Sequence, residues 1–364
     1  MGEVLRVIGI EMKNSSVAPS VPAANHRTSR LVEVDALRGL AALAVVFFHL
    51  TTRFHEVYPS GDSASFSFRH GHLGVNLFFI ISGFVIFMTL EKTKRPMDFM
   101  VSRFSRLYPV YWVCVLLTFA ITHSLGLPGK LVDPLPAAAN ALMFHGLFNV
   151  PHVDGVYWTL EVELLFYCGM LLVFSVNGLH RIHQLLMAAF AVRLAYFVTE
   201  KYLGFDLPWT LFRILILKYI AWFAIGISIY LLSHRSDLGS RRQCLVTIAA
   251  ALALTSLVDG LVVGALAFVF GAIVYLAATG HLPFLRNSLC IWLGAISYPL
   301  YLIHENVGWS IQLQLQRQGV HPDVVVLLAL ACALALATAL HRYVEAPAMD
   351  WIRARYRNHQ SARD

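Results

Sequence analysis

Long apolar runs separated by short polar clusters set the pattern of this chain, with no internal repeat or heptad. A run of about twenty mostly apolar residues is long enough to cross a bilayer as a helix. Ten such runs fall near 35–53, 73–91, 106–123, 157–176, 183–199, 211–232, 243–258, 261–279, 289–305 and 323–341. A further apolar stretch near 135–150 is short and interrupted. It is expected as a re-entrant or surface helix over the outer face, which is tolerable where protein covers its backbone. The pattern therefore predicts an all-α fold, a polytopic membrane helical bundle of about ten transmembrane helices.

Composition supports that reading: of 364 residues 58% are hydrophobic and only 13% charged, too few to clothe a soluble core of this size. The net charge of +7 is explained by orientation. Basic segments at the N-terminus, 91–106, 177–184, 233–242, 280–287 and after His341 all fall on one side if there are ten spans. Lys and Arg accumulate in cytoplasmic loops, so that side and both termini are expected in the cytoplasm. No basic, aromatic-interleaved stretch suggests nucleic acid. The cysteines Cys114, Cys168, Cys244, Cys290 and Cys332 lie in or beside apolar runs without the spacing of a metal clip or redox pair, and no metal is expected. Residues 1–32 are expected as a disordered cytoplasmic tail, 33–345 as the membrane domain and 346–364 as a basic cytoplasmic tail.

Several polar side chains sit at membrane depth. In "LRGLAALAVVFFHL" (37–50) the only ones are Arg38 and His49, eleven residues apart. Eleven residues make roughly three helical turns, so both leave one face about 16 Å apart. Snorkelling of each to its own surface is the plainer alternative. Arg103 and Arg106, three apart in "RFSRLYPVYW", share a face at the cytoplasmic mouth of the third span, where positive-inside anchoring would also place them. In "VYWTLEVELLFY" (156–167) Glu163 shares a face with Thr159 and Tyr167, whereas Glu161 points elsewhere and could reach the surface. An ionisable group inside a bilayer faces the bundle interior and a partner. His49, in the same outer half, is the expected partner of Glu163, a pairing that would raise the basicity of the imidazole. Asn76, Ser82 and Gly83 punctuate "GVNLFFIISGFVIF", where small residues usually mean close helix packing.

Taken in order, the spacing of Arg38 and His49, "GVNLFFIISGF", "RFSRLYPVYW", "YWTLEVELLFY", "LGAISYPLYLIH" (293–304) and "YVEAP" (343–347) give the chain a resemblance to one family. It resembles the acyltransferase-3 family of integral membrane O-acyltransferases, from about Val34 to Trp351. The resemblance implies that Arg38 and His49 are essential for acyl transfer, that Arg103 and Arg106 serve activity, and that Glu163 is the acidic residue of its motif. It also implies an acyl-CoA donor, usually acetyl-CoA, and a carbohydrate or glycolipid acceptor. Thr159 stands where the family usually has Ser, and Asn76 where many members carry Asp.

On this reading Arg38, Arg103 and Arg106 bind the donor's phosphates. His49 meets the thioester, either as a base for an attacking hydroxyl, the preferred route, or as a transient acyl carrier. Asn76, Trp158, Tyr167 and His304 are expected near the substrates, with His304 either capping the ninth span or touching the acceptor. The competing class is a transporter or flippase for a polysaccharide or lipid-linked intermediate, which also uses intramembrane Arg, His and Glu. Neither the internal repeat nor the paired broken helices of such carriers are seen.

Overall fold

The computed structural model describes residues 26–59, 64–234 and 236–361. Among them every regular element is helical. The chain opens with α1 (His26–Phe48), α2 (Phe54–Val57), α3 (Gly74–Glu91), α4 (Pro96–Leu125) and α5 (Pro134–Ala139). It continues through α6 (Trp158–Ser175), α7 (Ile182–Val198), α8 (Trp209–Ile214), α9 (Ile220–His234) and α10 (Arg241–Val258). The last third holds α11 (Leu261–Ala278), α12 (Ser288–Ile303), α13 (Asn306–Arg317), α14 (Pro322–Leu340) and α15 (Ala346–Ser361). Eight helical segments among the described residues are long and apolar enough to cross a membrane, and α9 and α12 are shorter apolar helices. All ten overlap the expected spans, and the chain is an integral membrane protein with an all-α bundle fold.

The centre of the bundle is the contact between α1 and α12, which run in the same direction. A Cβ on Gly39 would collide with the backbone of Leu293 and Gly294, and one on Gly294 would collide with the Asp35 carbonyl. Without a hydrophobic drive between helices in lipid, such close approach of backbones is what holds the pair together. At the start of α1 the fully buried Glu33 accepts from Arg286 Nε at 2.8 Å and from the Leu282 backbone N–H at 3.1 Å. That ion pair fixes the register of the two helices.

Four expectations about segments change. The third span begins at Pro96 rather than near 106, because Pro suits the first helical turn and the Asp98 carboxylate accepts from the Arg95 N–H at 3.2 Å. Arg103 and Arg106 consequently lie about 10 and 15 Å inside α4, not at its mouth. The stretch at 135–150 does dip into the bundle, as α5 followed by short 3₁₀ turns rather than one helix. Asn140 holds it there, donating to the Pro136 and Pro151 carbonyls at 2.9 and 3.0 Å and accepting from the Val153 N–H at 2.9 Å. Tyr111, halfway along α4, donates to the Asn140 carbonyl at 2.8 Å. Finally, the sixth span, expected over 211–232, is α9 alone with α8 set apart before it, and residues 346–361 of the expected basic tail form the helix α15, whose Tyr356 hydroxyl and Gln360 amide both donate to Asp98. The expected N-terminal tail lies outside the described residues up to position 25, and α1 has already begun at His26.

The α1–α12 contact predicts the outcome of two glycine substitutions. Gly39→Leu, forced against the α12 backbone, should leave little folded protein in detergent extracts. Gly169→Ala, where nothing lies within 4 Å, should be neutral or up to about 1 kcal/mol stabilising. Thermal unfolding of the purified variants checks both, and equal behaviour would show that the two helices are not held by this approach.

Candidate active site

His49 is where α1 stops being an α-helix. A single π turn spans His49–Arg53 before α2 resumes. Thr51 promotes it by turning its hydroxyl back on the Phe47 carbonyl at 2.5 Å while accepting from the Phe68 N–H at 3.2 Å. Trp309 Nε1 and Gln312 Nε2, both on α13, donate to the carbonyls of His49 and Leu50 at 2.8 and 2.9 Å. Such turns recur at functional sites because they re-aim a side chain without ending the helix.

The hydrogen bonds assign the tautomer of His49. Its Nδ1 lies 3.0 Å from the Val45 carbonyl. A carbonyl only accepts, so Nδ1 carries the proton and Nε2 keeps its lone pair. The same argument puts the proton of His304 on Nδ1, which faces the Tyr301 and Leu300 carbonyls at 2.9 and 3.2 Å. The free Nε2 of His304 then accepts from His49 Nδ1 at 3.2 Å. On its other side His49 Nε2 faces Glu305 Oε2 at 3.3 Å. Asp154, fully buried in the loop before α6, receives the Asn306 N–H at 3.1 Å, and burial holds its carboxyl above the usual carboxylate range.

The arginines belong to a second compartment. Arg38, Arg103, Arg106, Glu163 and Tyr167 line one cavity, with Phe78, Ile81 and Val85 among its apolar walls. Arg38 Nε donates to Ser297 Oγ at 3.0 Å, and its Nη1 lies 3.6 Å from Asp35. The Nε of Arg103 is buried without a hydrogen-bond partner. Glu163 accepts from Ser82 Oγ at 2.9 Å and, closer still, from the Tyr167 hydroxyl. Tyr301 joins the compartments: it lines the cavity, its hydroxyl oxygen accepts from Thr159 Oγ1 at 2.9 Å, and its ring lies 5.6 Å from the His304 ring.

The expected pairing of His49 with Glu163 is therefore not formed. The imidazole turns to Glu305, and Glu163 sits with the arginines that the early start of α4 carries inward. Glu161 does not reach the surface either. It is 5% exposed and pairs with Arg213 at 2.8 Å, because α8 folds back over α6. His304 is fully buried at the C-terminal end of α12, where its Nδ1 caps the Leu300 and Tyr301 carbonyls and its Nε2 meets His49. Tyr167 joins the cavity, but Trp158 leans on Tyr219 on the opposite side of α6, in a separate pocket with Arg213. Asn76 is half-buried early on α3 and does not line the cavity.

Glu305, Trp309 and Gln312 are the residues missed by sequence reasoning. Their spacing of four and three was a legible signal, since it puts all three on one face of a helix where an outward loop had been expected.

This geometry accompanies a clear family match. The profile of the acyltransferase-3 family, described as an acyltransferase domain, matches residues 31–342. The chain belongs to that family of acyltransferases. It is similar to the acyltransferase MdmB of Streptomyces mycarofaciens, at 24% identity over 89% of this chain and 92% of the relative. It is also similar to the exopolysaccharide production protein ExoZ of Rhizobium meliloti, at 26% identity over 82% and 96% of the two chains. Nodulation protein 10 of Rhizobium leguminosarum is 29% identical over 40% of this chain, and the match spans about half (45%) of that relative's length. No solved structure matches the chain.

The Glu161–Arg213 pair generates a prediction independent of turnover. Removing either partner of a buried pair strands the other, so Glu161→Ala and Arg213→Ala should each cost about 2 kcal/mol. The double variant should cost no more than the worse single one. Melting of the three purified variants measures this; additive losses would mean that the pair does not act as a unit.

Proposed function

We propose that the chain transfers an acyl group, acetyl by the family resemblance, from cytoplasmic acyl-CoA to a hydroxyl of a cell-envelope or exported carbohydrate. It would do so from a bacterial inner membrane, with the basic ends of the helices and both termini in the cytoplasm. The supporting observation is Arg103, whose buried Nε lacks an acceptor in a cavity that also holds Arg38 and Arg106. A buried donor without a partner is costly, and a phosphate oxygen is the natural group to supply one. Acyl-CoA carries phosphates at one end and its thioester at the other. The apolar walls suit the arm between them, and the rise of about 16 Å from Arg38 to His49 is of the same order as its length. A carbohydrate acceptor is supported by the similarity to ExoZ, a protein named for exopolysaccharide production.

In this reaction the lone pair of His49 Nε2 takes the proton of the acceptor hydroxyl. The oxygen attacks the thioester carbon, the carbon–sulfur bond breaks, and the thiolate leaves and is reprotonated. Glu163 works at the other end: held by Ser82 and Tyr167, it is a counter-charge that positions the arginines.

Two classes of variant should separate in steady-state thiol release from acetyl-CoA. Arg38→Ala, Arg103→Ala and Glu163→Gln should raise the KM for acetyl-CoA at least about tenfold, the loss of one charge-assisted hydrogen bond. His49→Ala should lower kcat by about 100-fold or more with donor binding retained. If Arg103→Ala binds acetyl-CoA as tightly as the unaltered chain, the cavity is not the donor site.

A further inference from the structure

Glu305 follows His304 at the end of α12, and no motif used so far gives it a part. Its two carboxylate oxygens face different groups: Oε2 lies 3.3 Å from His49 Nε2 and Oε1 lies 3.8 Å from Lys130 Nζ. The side chain is 6% exposed, and that of Lys130 is 28% exposed. Room for the carboxylate exists only because residue 155 is glycine, since a Cβ there would collide with the carboxyl carbon and both oxygens. Lys130 is itself held over the Trp309 ring at 5.0 Å. The Glu305 side chain thus lies between His49 Nε2 and a cation that reaches the surface.

His49 Nδ1 already carries a proton, held between the Val45 carbonyl and the His304 Nε2 lone pair, and His304 has no proton to give on that side. Whatever proton His49 gains must therefore reside on Nε2, the atom that faces Glu305. We propose that Glu305 is the proton partner of His49, sharing the proton taken from the acceptor hydroxyl, with Lys130 setting the charge of the pair. The inference rests on the reading of His49 as a base. The balance is simple. The hydroxyl O–H breaks as the C–O bond forms, the proton sits between Nε2 and Oε2, and it returns through Nε2 to the sulfur when the C–S bond has broken. Other charged or titratable groups around the pair are Asp154 before α6, Arg53 in the π turn, His72 before α3, Tyr58 after α2, and Tyr301 and His304 on α12. None of them provides a second carboxylate within ion-pair distance of His49 among the described residues.

The test reads the acid limb of the pH–rate profile, using the full chain in membranes and release of thiol from acetyl-CoA. A carboxylate beside the imidazole favours its protonated form, so removing the charge in Glu305→Gln should move the limb about one pH unit lower. It should also lower kcat about 100-fold while leaving the KM for acetyl-CoA within about twofold. Lys130→Met removes the cation that favours ionised Glu305, so the pair should hold its proton more tightly and the limb should move higher. Opposite shifts support the relay, and Glu305→Asp should recover part of the lost kcat. If Glu305→Gln is poorly folded, the shift in Lys130→Met alone decides the question, because that side chain sits at the rim. Unshifted limbs in the folded variants overturn the relay while leaving His49 as the base. A His49→Ala variant that still turns over overturns the base itself, and the relay with it.

Discussion

The site depends on how closely α1 lies against α12. Two glycines, Gly39 and Gly294, bring the backbones together, and the buried Glu33–Arg286 pair fixes their register below that point. From there the same two helices meet twice more, at Arg38 with Ser297 and at His49 with His304. Both functional side chains of α1 are therefore clamped by one neighbour running parallel to it. A helix pair pushed apart by a single methyl group would loosen both contacts together. That coupling explains why an arginine and a histidine three turns apart share one face: they are two rungs on one interface.

Charge inside the bundle follows the rule that a buried ion must find a partner. Glu33 has Arg286, Glu161 has Arg213, and Glu305 has Lys130 and His49. Glu163 accepts from two hydroxyls, those of Ser82 and Tyr167, beside the arginines that line the cavity with it. The acids thus serve different ends. Glu33 and Glu161 hold helices together, whereas Glu163 and Glu305 each face a compartment where a ligand's charge would change.

Much of this was legible in the sequence. Length and apolarity gave the ten helices, and the cost of charge in lipid singled out Arg38, His49, Arg103, Arg106 and Glu163. What failed was depth. Periodicity says which face a residue leaves, not how far along the bundle it lies, so Glu163 was matched with His49 when it belongs with the arginines. The ten-residue difference in the start of α4 accounts for that error: "RPMD" is a helix start that an apolarity window cannot see. The fate of Glu161 turned on α8, six residues long and too short for any periodic signal. Glu305 and α13 were missed for a third reason, since a helix with alternating polar and apolar residues resembles a loop until its neighbour is known.

The separation of the two compartments bears on how the reaction could favour a sugar hydroxyl over water. Tyr301, tied to Thr159, stands between the arginine-lined cavity and the histidine pair. The cavity walls Phe78, Ile81 and Val85 offer no polar group to a water beside a thioester threaded between them. On the proposed reading, a thioester lying between these three walls would meet no water-ordering group from them. The base, by contrast, looks toward Glu305 and the rim residue Lys130, on the side away from the arginines. Donor and acceptor would therefore come from opposite ends and meet only at Nε2. Under that geometry the selectivity for the acceptor does not need a pocket that recognises water and rejects it. It needs only that the base be reachable from one side, and the thioester from the other.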